Sequence, residues 1–403
     1  MIGSRKITSR EGPLKIPFAR VVCDGRELEY IREVLASGWL TTAGQCRAFE
    51  EEFGRVVGAG HSLAVNSCTS ALHLALEAAG VGPGDEVIVP ALTFTATAEV
   101  IRYLGADPVI GDVDPETGLL RPETVRALAR PRVKAVIPVH YGGQSVRMLT
   151  DETGPGLVEV AGDLGLKIVE DAAHAFPSRY RAEGPMVGGL KETACCFSFY
   201  ANKTITCAEG GLLTTGSPET AARARMMRMH GIDREVWDRF KDKTPAWQYD
   251  VVAPGYKYNL PDVLAAIGRA QLERAEEFRR ARERCALRYL AGLGTLESLA
   301  LPRLRAGLTP ADHSWHLFPV VVKPGGPDRD RMVEEMTARG IGLSVHYRPL
   351  YRMKYYAERY NLSPEAFPGT ERIWAGTFSL PIYPTLSNEE IDYICAVLGE
   401  LAG

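Results

Sequence analysis

The sequence predicts an α/β protein: a large domain built on a mostly parallel sheet with helices on both faces, followed by a small α/β domain. Three observations carry this prediction. Continuous apolar runs such as Glu86-Val87-Ile88-Val89-Pro90, Pro108-Val109-Ile110 and Lys134-Ala135-Val136-Ile137 alternate with helical stretches, as strands buried on both faces do. At 403 residues the chain is too long for one ordinary core. A second, shorter alternation of strands and helices follows a long helix dense in Glu and Arg. The expected division is 1–265 for the large domain, N-terminal segment included, and 266–403 for the small one with its connecting helix.

Taken in order, residues 26–36 read as a helix and a second helix runs through Phe49 and Phe53. The link between them, Trp39-Leu40-Thr41-Thr42, is hydrophobic for a loop and is expected to lie against its own subunit, a partner or a site. Ser62–Asn66 is a strand that feeds directly into a helix beginning Ser67-Cys68-Thr69-Ser70. Unpaired N–H groups and hydroxyls at such a start suit either a phosphate seat or an ordinary N-cap. Strands follow at 86–90, 106–113, 134–140 and 166–171, with helices opening at 91–97 and over 121–129. In such a sheet ligands bind beyond the carboxyl ends of the strands. Cys68, Thr69, Phe94, His140, Asp171 and His174 all fall at such ends. Ser217-Pro218 starts another helix as cap and first-turn proline. Residues 232–254, with Trp237 and Trp247, read as a surface excursion, and a single helix is expected from Pro261 to about Leu293. Beyond it, 314–322 and 343–347 read as strands, and 328–339 and 388–401 as helices.

Lys and Arg total 47 against 50 Asp and Glu, so no broad field draws nucleic acid or an anionic membrane. Met1–Pro17 lacks the apolar run of a signal peptide, and no stretch is apolar enough to span a bilayer, so a cytoplasmic protein is expected. The eight cysteines show no ligand spacing and read as buried thiols; no metal site is expected. His313 and His316 flank Trp315 without further ligands, which favours a core or hydrogen-bonded role.

One stretch carries the chemistry. Phe197-Ser198-Phe199-Tyr200-Ala201-Asn202-Lys203 alternates apolar and small residues, and a Glu209-Gly210-Gly211 turn leads into Leu212–Thr215, which reads as a hairpin with a lysine at its tip. A lysine between apolar walls has a lowered pKa, and an amine that is neutral part of the time forms an imine with an aldehyde. A lysine, a strand-end carboxylate, an aromatic ring and a phosphate seat on one rim are what pyridoxal 5'-phosphate (PLP) requires. Of the neighbours Glu170 and Asp171, alternation along a strand lets only one face that rim.

Asn66–His73, Gly84–Pro90, Glu170-Asp171-Ala172-Ala173-His174-Ala175 and Ser198–Lys203 together resemble the DegT/DnrJ/StrS sugar aminotransferases of the aspartate aminotransferase superfamily, over nearly the whole chain. Gly255–Leu260 and Val345-His346-Tyr347-Arg348 are most similar to the branch that makes UDP-4-amino-4-deoxy-L-arabinose. The resemblance implies a PLP-dependent fold (fold type I) and transfer of an amino group, from glutamate, to a nucleotide-linked keto sugar. By matching position it implies that Lys203 and Asp171 are catalytic, the first joined to the cofactor aldehyde and the second paired with the ring nitrogen. His174 would bond near the ring oxygen, Phe94 would cover the ring, and Ser198 with the backbone of Cys68 and Thr69 would hold the phosphate. It further implies a homodimer with sites at the interface, Asn259 reaching across to the neighbour's phosphate, and Thr41, Thr42, His346 and Tyr347 on the substrate side. Phe176-Pro177 stands where the family has a small pair and is expected to narrow the site floor. A cyclitol or other ketone as acceptor is the main alternative. The related sugar dehydratases carry a histidine at the lysine, and a non-enzymatic regulator would have lost Lys203 or Asp171.

Overall fold

The computed structural model describes residues 15–233 and 248–403. Trp237, Trp247 and most of the expected excursion over 232–254 lie outside them. Short, largely buried runs form strands β1 (His61–Val65), β2 (Glu86–Pro90), β3 (Asp107–Gly111), β4 (Val133–Val136), β5 (Lys167–Asp171), β6 (Thr193–Ser198) and β7 (Gly211–Thr215). Helices α1 (Glu27–Ser37), α2 (Gly44–Val57), α3 (Cys68–Ala78), α4 (Ala96–Tyr103), α5 (Pro122–Leu128), α6 (Leu157–Asp163) and α7 (Pro218–Met227) precede or alternate with them. The strand order is β1-β7-β6-β5-β4-β2-β3, and only β7 runs against its neighbours. The expected α/β class and mostly parallel sheet are borne out.

Both faces of the sheet are covered, and β2 shows how. Ile88 joins an apolar core with Phe49, Phe53, Phe197 and Phe199, whereas Val87 and Val89 join the opposite core with Leu63, Val65 and Leu213. At α7 the Ser217 hydroxyl accepts from Thr220 N–H at 3.1 Å and Pro218 follows, as the cap pattern predicts.

A second sheet, in the order β10-β9-β8, comes from β8 (Leu299–Ala300), β9 (Phe318–Val322) and β10 (Thr377–Leu380), all antiparallel. Tyr289, Trp315, Phe318, Phe378, Ile391 and Ile394 build its core, and Ile16 enters it from the other end of the chain. Residues 343–347 do not form the expected strand. A single bridge joins Ser344 to Ser379, because the segment then turns away to carry His346 and Tyr347 toward the large sheet.

The expected single helix from Pro261 to Leu293 is two, Asp262–Glu273 and Ala275–Leu293, broken at Arg274 (φ −110°, ψ 7°). The first packs on α1 and α2, and the second sends Cys285, Tyr289 and Leu293 into the second core, so one straight axis cannot serve both. No Gly or Pro marks the break. The thiols are not uniformly buried either: Cys23, in the segment before α1, is exposed, and Cys395, on the helix Asn388–Ala402, is half-buried.

Asp262 ties this helix to the N-terminal region. α2 has no side-chain cap of its own, and the Asp262 carboxylate instead accepts from the N–H groups of Ala43 (2.7 Å), Gln45 (3.0 Å) and Cys46 (3.0 Å). An anion at a helix start satisfies orphan donors and meets the positive dipole end. Asp262→Ala is expected to destabilise the protein by roughly 2–4 kcal/mol, since several charge-assisted bonds go at once. A denaturant midpoint unchanged from the natural chain would refute the remote cap.

Candidate active site

β6 and β7 form the expected hairpin, with Ser198 paired to Gly211. The connection over residues 199–210 is a folded loop rather than a tight turn. Phe199 N–H donates to Gly210 O (2.8 Å), Cys207 N–H to Phe199 O (2.9 Å) and Lys203 N–H to Tyr200 O (3.0 Å). Buried Phe199, Ile205 and Cys207 anchor it, which leaves Lys203 held from both sides.

Burial of the Lys203 ammonium takes its pKa from 10.5 down to about 8. Arg282 pushes the same way, and Cys68 and Asp171 oppose. The amine is therefore uncharged in an appreciable fraction near neutral pH. Arg282, buried on the helix Ala275–Leu293 and donating to Ile382 O at 2.8 Å, is itself lowered to about 10 by burial.

β5 resolves the choice between adjacent carboxylates. Glu170 is fully buried on one side of the strand, where Tyr180 (2.8 Å), Thr193 and His140 (2.8 Å) all donate to it. Val146 N–H donates to His140 Nδ1 (3.0 Å), so the ring hydrogen sits on Nε2 and His140 pairs with Glu170 as a neutral donor. His140 thus serves Glu170 rather than the rim where the strand-end argument put it. Asp171 points the other way. Its Oδ2 accepts from Thr97 Oγ1 (2.8 Å) and its Oδ1 from Ala173 N–H (3.1 Å). Burial raises its pKa, against these two bonds and the pull of Lys203.

His174 lies just past β5. Gly142 N–H donates to its Nδ1 (3.3 Å), which leaves Nε2–H to donate to the Tyr347 hydroxyl (2.9 Å). Burial, then Lys203 and His346, hold His174 well below its ordinary pKa, so it is neutral. The Tyr347 proton is left free to point onward. His346 bonds Ser379 Oγ through Nδ1 (2.9 Å) and is lowered to about 4, chiefly by burial. Phe94 stands 5.9 Å from the Tyr347 ring and is 57% exposed, an open aromatic face at the rim.

The α3 start meets the lysine hairpin at Gly211. A Cβ there would lie 2.3 Å from the Ser67 carbonyl carbon and 2.5 Å from Cys68 N, so only glycine lets β7 begin against the helix terminus. Ser67 Oγ accepts from Ser70 N–H (3.1 Å) and Ser67 O from Ala71 N–H (3.1 Å). The N–H groups of Cys68 and Thr69 have no protein acceptor among the described residues. Ser198, Cys68 and Thr69 are thus brought together around two free donors at a helix terminus. The Cys68 thiol itself turns inward to Cys196 O (3.4 Å).

Thr42 and Asn259 form a separate cluster. Asn259 Nδ2 donates to Thr42 Oγ1 (2.7 Å), Thr42 Oγ1 to Leu260 O (2.6 Å), and Lys257 donates to Asn259 Oδ1. Among the described residues none of these side-chain bonds runs to Lys203, Asp171 or His174, and Thr41 is exposed. Phe176 is not at the site floor. It packs in the core against Phe53 (4.7 Å) and Phe197 (6.1 Å), so the Phe-Pro pair adds to the core and does not narrow the site.

The residue that sequence reasoning missed is His316. Its Nε2 stands 3.5 Å from Lys203 Nζ and its ring 4.4 Å from that of His174. The His313/His316 spacing was the available signal, but it says nothing about a lysine far away in the chain.

These groups fit PLP. A lysine amine that is readily uncharged, a buried carboxylate on the face of β5 opposite Glu170, a flat exposed ring and two N–H groups without an acceptor among the described residues are the complement of an aldehyde, a ring nitrogen, a ring face and a phosphate.

Comparisons with known proteins agree. A family model described as the DegT/DnrJ/EryC1/StrS aminotransferase family matches residues 22–399. The spore coat polysaccharide biosynthesis protein SpsC of Bacillus subtilis (strain 168) is 38% identical over 389 residues, 96% of this chain and 97% of that protein. Helicobacter pylori PseC, an aminotransferase involved in the biosynthesis of pseudoaminic acid, superposes with a TM-score of 0.86 at 26% identity, covering 96% of this chain and 99% of its own. The PLP-form of Spr1654 from Streptococcus pneumoniae gives 0.83 at 27% identity, over 97% and 100%.

Proposed function

Because the chain belongs to the DegT/DnrJ/EryC1/StrS aminotransferase family, we propose that it moves an amino group from glutamate to a nucleotide-linked keto sugar, at the 4-keto position. Membership makes it a PLP-dependent sugar aminotransferase of the α/β fold shared by its structural neighbours. Donor, nucleotide and ring position are our reading. The observation that carries it is an amine lowered to about 8 on the same rim as the buried Asp171 carboxylate and the free α3 donors. That SpsC and PseC serve polysaccharide and pseudoaminic acid biosynthesis supports a sugar acceptor over a cyclitol.

When bound, the cofactor supplies an electron sink beside the carbon that loses its proton. Lys203 would hold its aldehyde and, once displaced by the donor's amine, carry a proton from the donor's α-carbon as general base. Asp171 would keep the ring nitrogen protonated, with Thr97 and Ala173 N–H fixing the carboxylate so that its orientation costs nothing at the moment of reaction. Phe94 would cover the ring, His174 would stand at the ring-oxygen side with Tyr347 behind it, and Ser198 with Cys68 and Thr69 N–H would hold the phosphate. Thr41, Thr42, His346 and Tyr347 would face the sugar.

We further read the protein as a cytoplasmic homodimer, with Asn259 of each copy reaching the other's phosphate and a domain division near 265/266. Exposed Phe94, Tyr200, Val251 and Val252 support an apolar interface. The free thiols suit a reducing compartment.

One experiment tests the reaction. Cofactor-loaded protein is treated with glutamate, and then with a panel of nucleotide-linked 3-keto and 4-keto sugars and cyclitol ketones whose products are weighed by mass spectrometry. The visible absorbance is expected to bleach with glutamate and return with a 4-keto sugar, which gains one amino group. Return with cyclitol ketones alone would reject the nucleotide sugar.

A further inference from the structure

The sequence pattern assigns His316 no more than a core or hydrogen-bonded role and the family resemblance assigns it none, yet the chain around it is built to aim it. Trp315, fully buried, sits at φ +51°, a left-handed conformation that a bulky residue rarely adopts. Such strain persists only where the surroundings enforce it, and it clusters at functional sites. Here Trp315 N–H donates to His313 Nδ1 (2.8 Å), its indole N–H to Pro310 O (2.9 Å), and the two rings stack at 4.2 Å. Ser314 Oγ donates to His174 O (2.6 Å), an approach that needs Gly143, because a Cβ at that position would stand 2.1 Å from the hydroxyl. The segment is thereby clamped to the His174 turn, and the His316 ring is laid on that of His174 with Nε2 at 3.5 Å from Lys203 Nζ.

The other ring nitrogen decides which atom carries the hydrogen. His316 Nδ1 is buried with no hydrogen-bond partner among the described residues. An orphaned buried N–H is rarer in proteins than an under-satisfied acceptor, so Nδ1 keeps its lone pair and Nε2 carries the hydrogen, aimed at the lysine. An Nε2–H can bond an uncharged amine, which has a lone pair, but not an ammonium, which has none. The other groups facing Lys203 are Cys68 from α3, Asp171 from β5, Arg282 from the helix Ala275–Leu293, and His174 and His346. Burial keeps all three imidazoles below their ordinary pKa, so none brings a positive charge near neutral pH.

We propose that His316 is a positioning residue for Lys203: whenever the lysine amine is free, His316 Nε2–H donates to its lone pair and holds it uncharged between proton transfers. The proposal rests on reading Lys203 as the cofactor's lysine, but the two fail separately, because the test reads titration of the amine and not turnover.

The full-length chain, freed of cofactor, is acylated with a small anhydride across a pH series, and labelling at Lys203 is measured by peptide mass spectrometry. The natural chain is expected to show a midpoint near the amine's pKa of about 8. His316→Phe keeps the ring's bulk and removes the donor. It disfavours the uncharged amine, so the midpoint rises by about one unit and labelling near neutral pH falls about tenfold. His316→Gln places an amide N–H near the lost Nε2–H and restores the midpoint. A midpoint unchanged in His316→Phe, or lowered, which would mean that His316 accepts from the ammonium, overturns the proposal. If thermal unfolding shows that the Phe chain does not fold, His316→Met against His316→Gln makes the same comparison.

Discussion

Lys203→Ala is expected to abolish turnover, with a loss of about 10⁴-fold or more, and to remove the visible absorbance of the lysine-linked cofactor. The size of the effect follows from the two tasks proposed for one side chain, as the covalent partner of the aldehyde and as the base that carries the proton. The fold should not suffer. Among the described residues Lys203 Nζ has no side-chain hydrogen-bond contact besides the 3.5 Å one to His316, and burying an amine whose pKa falls to about 8 costs stability. Removing it leaves the unfolding temperature equal or higher. Steady-state kinetics, an absorbance spectrum and a melt check this together. Turnover above about a hundredth of that of the natural chain would place the chemistry on another group.

Asp171→Asn is the second large effect, expected at about 10²–10³-fold in kcat, the loss typical of removing one preorganised electrostatic partner. The substitution is nearly isosteric. An amide oxygen can still accept from Thr97 Oγ1 or Ala173 N–H, so the local structure is kept. The amide cannot hold a proton on a pyridine nitrogen, so the electron sink weakens while cofactor binding through Lys203 and the α3 terminus persists. The signature is therefore a protein that binds cofactor and turns over slowly. Glu170→Gln provides the contrast. It loses the charge that Tyr180, Thr193 and His140 satisfy, and its effect should appear in stability. An Asp171→Asn enzyme within tenfold of the natural one would show that this carboxylate is not the ring's partner.

Much of the site was legible because its signals are local. A hydroxyl-rich helix start after a strand, a lysine in an alternating run and a carboxylate at a strand end are each written within a few residues. Where reading along the chain went astray, the deciding contact was distant. The expected strand over 134–140 would put His140 at its end, but β4 stops at Val136, a lone bridge joins Val139 to Asp171, and Val146 N–H with the buried Glu170 holds the ring. Phe176-Pro177 looked like a change to the site floor, but its ring had somewhere better to go, between Phe53 and Phe197. Residues 343–347 have the composition of a strand and gave up the ladder to deliver His346 and Tyr347 to the site.

The sequence by itself determined the class of the protein: the alternation of strands and helices, the place of a lysine in the loop between two strands, and a pair of neighbouring carboxylates that alternation sends to opposite faces. Periodicity, capping and burial preference are properties of neighbouring residues, so they survive without the fold. Tertiary structure decided which carboxylate faces inward, where the helix from Asp262 bends, and that Thr42 and Asn259 belong together. It also brought His316 to Lys203 across 113 residues and Tyr347 to His174 across 173. No local period encodes such meetings, because they depend on how two cores and two sheets pack, and it is there that the lysine acquires an environment in which it gives up its proton more readily.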